Sequence, residues 1–262
     1  MIIIGEKLNS SIPRTAKLFN AKDEKGVLAL IKRQINGGAN YLDINTAACE
    51  WGELDCMKWV LALVNQVGGC GVVLDSPDPQ VILQAIGDVK TDDIIVNSVT
   101  LTVRYDELVP MCAQKGIGVV GMPIGDKLAE GIGERIQNAV SLAKKLLADG
   151  VCEDKIFIDI VVESLATNSD SGANCLKMVR SLKEACPGVK SLAGLSNVSF
   201  GLPERGLINR TFMSGAVMAG LDAAIMDAND ESLIDAMFAA NALAGKDEYS
   251  MEFIMHCRER AQ

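Results

Sequence analysis

The stretch GVVLDSPDPQVILQAIGDVK, residues 71–90, holds one full copy of the pattern that decides the fold. It begins with a short apolar run, Gly71–Asp75, which ends on a carboxylate. Ser76 and Pro77 then offer an N-cap and a first-turn proline for a predicted helix, Gln80–Val89, whose apolar residues recur at helical spacing. A buried strand followed directly by such a helix is the βα unit of a parallel sheet.

The same unit recurs along the whole chain. Short runs rich in Val, Ile and Leu predict strands at Ile2–Gly5, Tyr41–Asn45, Gly71–Asp75, Ile94–Asn97, Gly118–Pro123, Ile156–Ile160, Leu192–Asn197 and Ala223–Asp227. The predicted helices are Lys25–Asn36, Leu54–Gln66, Gln80–Val89, Glu107–Gln114, Arg135–Ala148, Ala173–Ala185, Thr211–Ala219 and Glu231–Leu243. Eight βα units with right-handed crossovers most naturally close into an α/β fold of the (β/α)8 TIM barrel type.

An open, doubly wound sheet is the competing architecture. A dinucleotide-binding sheet of that kind would carry G-x-G-x-x-G after its first strand, whereas GEKLN follows here. Because no Pro/Ser-rich linker or low-complexity stretch divides the chain, we predict one domain over residues 1–262 with a short C-terminal tail.

Composition excludes several classes of partner. The net charge of −9 argues against nucleic acid, which requires clustered Lys and Arg. No apolar run approaches the roughly 20 residues that span a bilayer. The segment Met1–Glu6 has neither the basic flank nor the length of a signal peptide, so we expect a cytoplasmic location.

Cysteine and histidine usage narrows the chemistry. The eight cysteines contain no C-x-x-C pair and are predicted to be reduced, mostly half-buried thiols. The single histidine, His256, lies in the tail and is predicted to be a surface residue. Histidine-dependent triads and the usual zinc sites are therefore disfavoured.

Polar residues end most of the predicted strands, where a barrel carries its active site. In chain order they are Glu6, Asp43, Asn45, Asp75, Asn97, Met122-Pro123, Asp159, Ser196, Asn197 and Asp227. Any one of them could be a helix cap or loop hydrogen bonder instead. The nearest lysine, Lys7, is predicted to be ion-paired rather than a Schiff-base nucleophile. Amides and a Met-Pro turn are poor ligands for a hard cation, so no bound metal is expected.

A cup of carboxylates and amides suits a neutral, planar, donor-rich heterocycle. A carboxylate accepts two parallel N–H bonds, as from an amino group and an adjacent ring N–H. A pterin presents that pattern along its 2-amino and N3–H edge. Other amino-oxo heterocycles present it too, so spacing alone does not choose among them.

Several blocks of sequence resemble a known family. GEKLN, YLDIN, VVLDSPD, IIVNS, IFID and, above all, GLSNVSFGLPERGLINRTFMSGAVMAGLDAAIMDANDE (residues 194–231) are similar to the methyltetrahydrofolate:corrinoid protein methyltransferases. The pterin-binding barrel of that family is related to dihydropteroate synthase and to the folate domain of cobalamin-dependent methionine synthase. The resemblance implies a homodimeric enzyme that transfers methyl between N5 of tetrahydrofolate and the cobalt of a corrinoid on a separate protein.

The resemblance also assigns site residues. It implies pterin contacts from Asp75, Asn97, Asp159, Gly194, Ser196 and Asn197, with Asn197 as the catalytic residue near N5. On the mouth or corrinoid side we place the strand-end residues Glu6, Asp43, Asn45, Met122 and Asp227, together with Phe200 and Arg205 from the resemblance. Two positions depart from the family, because Phe200 replaces a polar residue and Ile160 replaces a proline. The chain lacks a D-x-H-x-x-G cobalamin motif, so we expect a partner protein to bring the cobamide.

Neither the direction of transfer nor the activity is fixed by these residues. Methyl flows from methyltetrahydrofolate to a corrinoid iron–sulfur protein in acetyl-CoA synthesis, and from a methylated corrinoid protein to tetrahydrofolate when methyl ethers, methylamines or betaines are demethylated. Phe200 departs from the acetogenic pattern and favours the second direction. Dihydropteroate synthase and a non-catalytic folate-binding subunit stay as alternatives, although the basic Ser-x-Arg type loop of the synthase is not visible.

Overall fold

The computed structural model describes residues 1–125, 129 and 131–260. Its eight parallel strands pair in sequence order and close into a barrel, as predicted. The strands are β1 (Ile2–Asn9), β2 (Tyr41–Asn45), β3 (Gly71–Asp75), β4 (Ile94–Val99), β5 (Gly118–Gly121), β6 (Ile156–Asp159), β7 (Lys190–Gly194) and β8 (Ala223–Met226).

Helices cover the outside of the barrel. They are α1 (Pro13–Asn20), α2 (Glu24–Asn36), α3 (Glu53–Val67), α4 (Pro79–Ala85), α5 (Tyr105–Lys115), α6 (Ile132–Ala148), α7 (Ser171–Ala185), α8 (Arg205–Ala219), α9 (Glu231–Leu243) and α10 (Met251–Arg260). Outward-facing strand residues such as Val72 and Leu74 pack with these helices in the larger hydrophobic core. None of the helices in the described residues is long and apolar enough to cross a membrane.

A second, smaller core fills the barrel interior. It contains Ile4, Val73, Ile95, Val120, Phe157, Leu192 and Ala223. Because side chains alternate between the two faces of a strand, the residue two positions later points inward as well. In β3 that residue is Asp75, in β4 Asn97 and in β6 Asp159. The polar residues therefore form the next layer above this apolar interior core, at the carboxyl end of the barrel.

Strand register brings several of these polar residues side by side. Asn45 of β2 pairs with Asp75 of β3, and Asp75 pairs with Asn97 of β4. Asp159 of β6 pairs with Leu192 of β7. Asn45, Asp75 and Asn97 therefore form a continuous row on three neighbouring strands, with the carboxylate between the two amides.

The helix α1 was not predicted, and several element boundaries differ from the sequence predictions, among them the ends of β1 at Asn9 and of β5 at Gly121. β7 ends at Gly194, and Leu195–Ser199 forms a 3-10 turn rather than the end of a strand. α8 begins at Arg205 instead of Thr211. The N-cap of α4 is Asp78, whose side chain accepts from the Gln80 amide, rather than Ser76.

The chain beyond α9 is helical where a tail was predicted. α10 packs on α9, and the side chain of His256 is only 15% exposed, which corrects its prediction as a surface residue. The His256 ring stacks on Phe238 at 4.3 Å between ring centroids, and its Nε2 lies 2.7 Å from an Asp235 carboxylate oxygen. His256 therefore fastens α10 to the barrel.

The cysteines are all free thiols in this structure. Four are buried, at Cys56, Cys112, Cys175 and Cys186, two are half-buried, and Cys152 and Cys257 are exposed.

Candidate active site

A cavity of about 650 Å³ opens at the carboxyl ends of the strands, the mouth of the barrel. Its lining comprises Glu6, Lys7, Asn9, Ile12, Asp43, Asp75, Asn97, Asp159, Gly194, Ser196, Asn197, Arg205, Gly206, Asn209, Ile225, Asp227 and Asp230. This position agrees with the rule that (β/α)8 barrels place their chemistry at this face.

Asp43 lies at the bottom of the cavity. It is 3% exposed, and the side-chain amide of Asn97 donates to its carboxylate at 3.5 Å. Burial raises the pKa of Asp43 well above its usual range, and the nearby carboxylates of Asp75 and Glu6 raise it further. Asp43 was predicted on the mouth side, but it lies beneath the row of polar residues instead.

Asp75 stands between two supporting groups. The Asn45 amide donates to its carboxylate at 2.8 Å, which places Asn45 behind Asp75 and outside the cavity lining. Burial raises the pKa of Asp75, while the Asn45 hydrogen bond and the Arg104 guanidinium oppose that rise. The side chain is therefore held with its free lone pairs available to a ligand.

Asp159 faces the same cavity from β6. Burial raises its pKa to about 6, although the backbone N–H of Val161 donates to its carboxylate at 2.7 Å. A half-buried carboxylate with one hydrogen-bond donor among the described residues retains unused acceptor capacity. Asp159 can thus accept two parallel N–H bonds from a ligand.

The turn after β7 carries Asn197 at the edge of the cavity. Asn197 is exposed, and its side-chain nitrogen lies 3.0 Å from where a Cβ on Gly194 would stand. Arg205 holds the turn from α8, because its guanidinium donates to the Ser196 carbonyl at 2.9 Å and to the Ser199 hydroxyl at 3.0 Å. A Cβ at Gly194 would therefore crowd the Asn197 amide in its present position.

An ion-paired cluster closes the side between β8 and β1. Lys7 Nζ lies 2.8 Å from Glu6 and 3.1 Å from Asp227, so Lys7 is ion-paired as predicted. Burial lowers the pKa of Lys7, but the two carboxylates outweigh it and the net shift is upward. Ser196 donates to the other Glu6 oxygen at 3.2 Å and links this cluster to the turn after β7.

Most of the predicted site residues come together in the cavity. Those that line it are Glu6, Asp43, Asp75, Asn97, Asp159, Gly194, Ser196, Asn197, Arg205 and Asp227. Met122 and Phe200 lie outside the lining, and Phe200 is 68% exposed. Among the described residues, no group of three or more His, Cys, Asp or Glu side chains is arranged to hold a metal ion.

Sequence reasoning missed several lining residues. They are Asn9, Ile12, Gly206, Asn209, Ile225 and Asp230. Most of them stand on helices or loops rather than at predicted strand ends. Asn209 could have been found from its spacing, since it follows Arg205 by one helical turn.

The fold and the site define a (β/α)8 barrel with a cup of carboxylates and amides at its mouth. The sequence matches the family of pterin binding enzymes over residues 9–227. The chain belongs to that family, which confirms the resemblance seen in its sequence.

Individual relatives agree with this assignment. The chain is 32% identical to methylcorrinoid:tetrahydrofolate methyltransferase of Eubacterium limosum, over 97% of this chain and 94% of the relative. It is 29% identical to methionine synthase of Mycobacterium leprae over 87% of this chain, which spans only 20% of that longer protein.

Solved structures share the architecture. Dihydropteroate synthase of Yersinia pestis superposes with a TM-score of 0.68 at 17% identity, with 93% of each chain covered. The enzyme of Coxiella burnetii in complex with pteroic acid gives a TM-score of 0.67 at 18% identity, over 94% of this chain and 93% of that one. At such identities the likeness concerns the fold alone.

Proposed function

We propose that this enzyme transfers a methyl group from a methylated corrinoid protein to N5 of tetrahydrofolate. The observation that carries the proposal is that Asp75, Asn97 and Asp159 line one cavity with the adaptable amide of Asn197. The name of the Eubacterium limosum relative, which aligns over nearly the whole chain, supports the same substrates and direction.

The pterin would be held by its donor edge. Ionised Asp159 accepts from the 2-amino group and N3–H, while Asp75 and Asn97 fix the rest of the ring. Because Asp159 has a pKa of about 6, its carboxylate is mostly ionised at neutral pH. With that edge held between β3 and β6, the opposite edge, which carries N5, faces Asn197 in the turn after β7.

The transfer itself forms one bond and breaks one. The N5 lone pair attacks the methyl carbon and the cobalt–carbon bond breaks with both electrons left on cobalt. The N5–H bond of the resulting cation then breaks, and its proton passes to bulk water at the open mouth of the cavity. Cobalt(III) becomes cobalt(I), and tetrahydrofolate becomes methyltetrahydrofolate. Positioning the two reactants in this way can lower a bimolecular barrier by about 7–11 kcal/mol in favourable cases.

The hydrogen bond that N5 can make with Asn197 changes during this step. Before transfer N5 carries a hydrogen that an amide carbonyl can accept, and afterwards N5 has a methyl group and a lone pair to which an amide NH₂ can donate. A carboxylate has no N–H and would interact favourably with the first state only. An exposed asparagine on a turn can rotate to present either end.

Substitution of Asn197 tests this role directly. Asn197→Ala should lower the rate of methyl transfer by about tenfold to a hundredfold while tetrahydrofolate still binds, because it removes one hydrogen bond at the reacting atom. Asp75→Ala should instead lower tetrahydrofolate affinity. Transfer at the wild-type rate by the first variant, or unchanged affinity in the second, would contradict these assignments.

The physiological setting extends the proposal. Phe200, which departs from the acetogenic pattern, favours a demethylation pathway in which methyl ethers, methylamines or betaines supply the methylated corrinoid protein. Supplying separately methylated candidate corrinoid proteins and measuring methyltetrahydrofolate would identify the donor. A homodimer, a cytoplasmic location, a single domain and a cobamide that stays on the partner protein are parts of the same proposal.

Dihydropteroate synthesis is disfavoured by charge. Asp227 and Asp230 line the cavity beside β8, where a pyrophosphate leaving group would need cations. Incubation with dihydropterin pyrophosphate and p-aminobenzoate should therefore yield no dihydropteroate.

A further inference from the structure

We propose that Asn209 recognises the p-aminobenzoylglutamate part of the folate, by a hydrogen bond to the amide that joins the benzoyl and glutamate groups. This inference rests on the proposed function and names the group that selects a folate over a bare pterin. Neither the strand ends nor the family resemblance assigns a role to this residue.

The side chain of Asn209 lies in an unusual state for a helix residue. It lines the cavity from α8, yet its Oδ1 atom is buried and has no hydrogen-bond partner among the described residues. Buried polar atoms without partners are uncommon in folded proteins. Because Oδ1 is buried, a ligand in the cavity meets this side chain at the other end of the amide, or at Oδ1 after the amide has rotated. Because the two ends of an asparagine amide are interchangeable by rotation, the group can donate to a ligand or accept from it.

The position of Asn209 follows from the order of the strands. The proposed pterin contacts come from β3, β4 and β6, and β8 and β1 lie on the opposite side of the closed barrel. Asn209 stands on that opposite side with Arg205, one helical turn earlier, and with Asp227 and Asp230 after β8. A ring held by its amino edge therefore points its far edge towards Asn209.

The far edge of the ring is where the folate tail begins. C6 is adjacent to N5 and carries the methylene bridge to the p-aminobenzoyl group. If N5 is at Asn197, the tail leaves the ring towards α8 and β8. Asn197 and Asn209 line the same cavity, so ring and tail can be contacted together.

The charges on the β8 and β1 side of the cavity favour a neutral part of the folate over a carboxylate. Lys7 is already neutralised by Glu6 and Asp227, and Asp230 adds a further carboxylate to the lining. Arg205 is engaged by Ser196 and Ser199. The carboxylates of the glutamate would be repelled here, whereas the neutral benzamide offers a C=O and an N–H to Asn209.

Two ligands that differ by the tail test the inference. Tetrahydrofolate and 6-methyltetrahydropterin share the reduced ring, and their affinities can be measured anaerobically by titration calorimetry. Asn209→Ala should weaken tetrahydrofolate about tenfold, as expected for one lost hydrogen bond with a buried partner, and 6-methyltetrahydropterin less than twofold. Asn209→Leu keeps the side-chain size and should show the same split.

Asn241 provides a matched control. Its Oδ1 is also buried without a partner, but the residue is near the far end of α9 and outside the cavity. Asn241→Ala should leave both affinities unchanged. Equal losses for both ligands in Asn209→Ala, or no loss for tetrahydrofolate, would overturn the inference while leaving the proposed function intact. A wild-type protein that binds neither ligand would overturn both.

Discussion

Asp159, which we propose binds the pterin, illustrates how such a residue can oppose folding. Burial raises its pKa from 3.8 to about 6, so the folded protein binds this proton more tightly than the unfolded chain does. Above about pH 6 the fold must hold a buried charge, which costs about 2 kcal/mol after allowing for partial exposure. As the pH falls from about 6 to about 4, this cost disappears.

Asp159→Asn should therefore stabilise the protein and damage its function. In neutral or slightly alkaline buffer we expect a gain of about 2 kcal/mol in the free energy of unfolding, which vanishes below about pH 4. Tetrahydrofolate affinity should fall, because an amide oxygen cannot accept a charge-assisted pair of N–H bonds. Urea unfolding across the pH range measures the first effect. A gain that does not depend on pH would mean that the carboxylate is not the cause.

Arg104 lies near Asp75, which we propose contacts the pterin. Its guanidinium donates to the Ser76 carbonyl at 2.7 Å and to the Ser98 hydroxyl at 3.3 Å, and so joins the ends of β3 and β4. Its charge opposes the rise that burial produces in the pKa of Asp75. Arg104 is a positioning residue, because it acts through Asp75 and does not line the cavity.

Arg104→Gln should raise the pKa of Asp75 further and move the loss of tetrahydrofolate affinity on acidification to higher pH. We expect affinity at neutral pH to fall about fivefold to tenfold, as for the loss of one charge near a binding carboxylate. Arg104→Lys keeps the charge and should restore most of the pH profile. If Arg104→Gln lowered only the melting temperature, with an unchanged pH profile, the residue would be merely structural.

The sequence indicated most of these residues for a physical reason. An inward-facing polar residue at the end of an apolar strand has few places to lie other than the mouth of a barrel, so Asp75, Asn97 and Asp159 could be predicted. The depth of each residue along the barrel axis could not be predicted from the sequence in the same way. Asp43 lies lower than Asn45 because it pairs with Val73 of the apolar interior, whereas Asn45 pairs with Asp75.

At the scale of elements, the turn after β7 shows where hydrophobic patterning is insufficient. Leu195 is apolar and buried like Leu192 and Ala193 of β7. In the sequence, the run Leu192–Asn197 therefore looks like one strand. The structure instead ends β7 at Gly194 and continues with a 3-10 turn. A short apolar run cannot distinguish these two conformations by periodicity alone.

Gly194 links this turn to the role that we propose for Asn197. A Cβ at this position would lie 3.0 Å from the Asn197 side-chain nitrogen, which is closer than ordinary van der Waals contact. Gly194→Ala should displace the Asn197 amide and lower the rate of methyl transfer severalfold, with little change in tetrahydrofolate affinity. Single-turnover kinetics would measure the rate apart from binding.

Gly172→Ala is the matched control for this variant. A Cβ at Gly172 would meet nothing within 4 Å, and the residue lies in the first turn of α7. It should leave the transfer rate unchanged and slightly stabilise the helix. If Gly194→Ala transferred methyl as fast as Gly172→Ala, the close approach would have no catalytic meaning.

At the scale of the whole molecule, the barrel could be predicted because several independent features of the sequence indicate the same fold. Strand runs are buried on both faces, helices follow at regular intervals, and no linker interrupts them. The parts that could not be predicted are contacts between distant segments. α10 is an example, since its place depends on His256 meeting Phe238 and Asp235 of α9.

The whole-molecule surface also determines how a partner can reach the cavity. Phe200 stands beside the mouth and is 68% exposed, with its ring centroid 6.0 Å from the Arg205 guanidinium. Its backbone carbonyl accepts from the Ser164 hydroxyl at 2.5 Å, so the residue is anchored although its ring faces solvent. Anchored, exposed aromatic rings are frequent centres of protein–protein interfaces.

Phe200→Gln should therefore weaken docking of the corrinoid protein. We expect KM for the methylated corrinoid protein to rise about tenfold, with tetrahydrofolate affinity and transfer from free methylcobalamin unchanged. Leu243→Gln is the control, because Leu243 is 78% exposed but lies at the end of α9 away from the mouth. An equal loss with free methylcobalamin would place Phe200 in the reaction itself, and an unchanged KM would remove it from the docking surface.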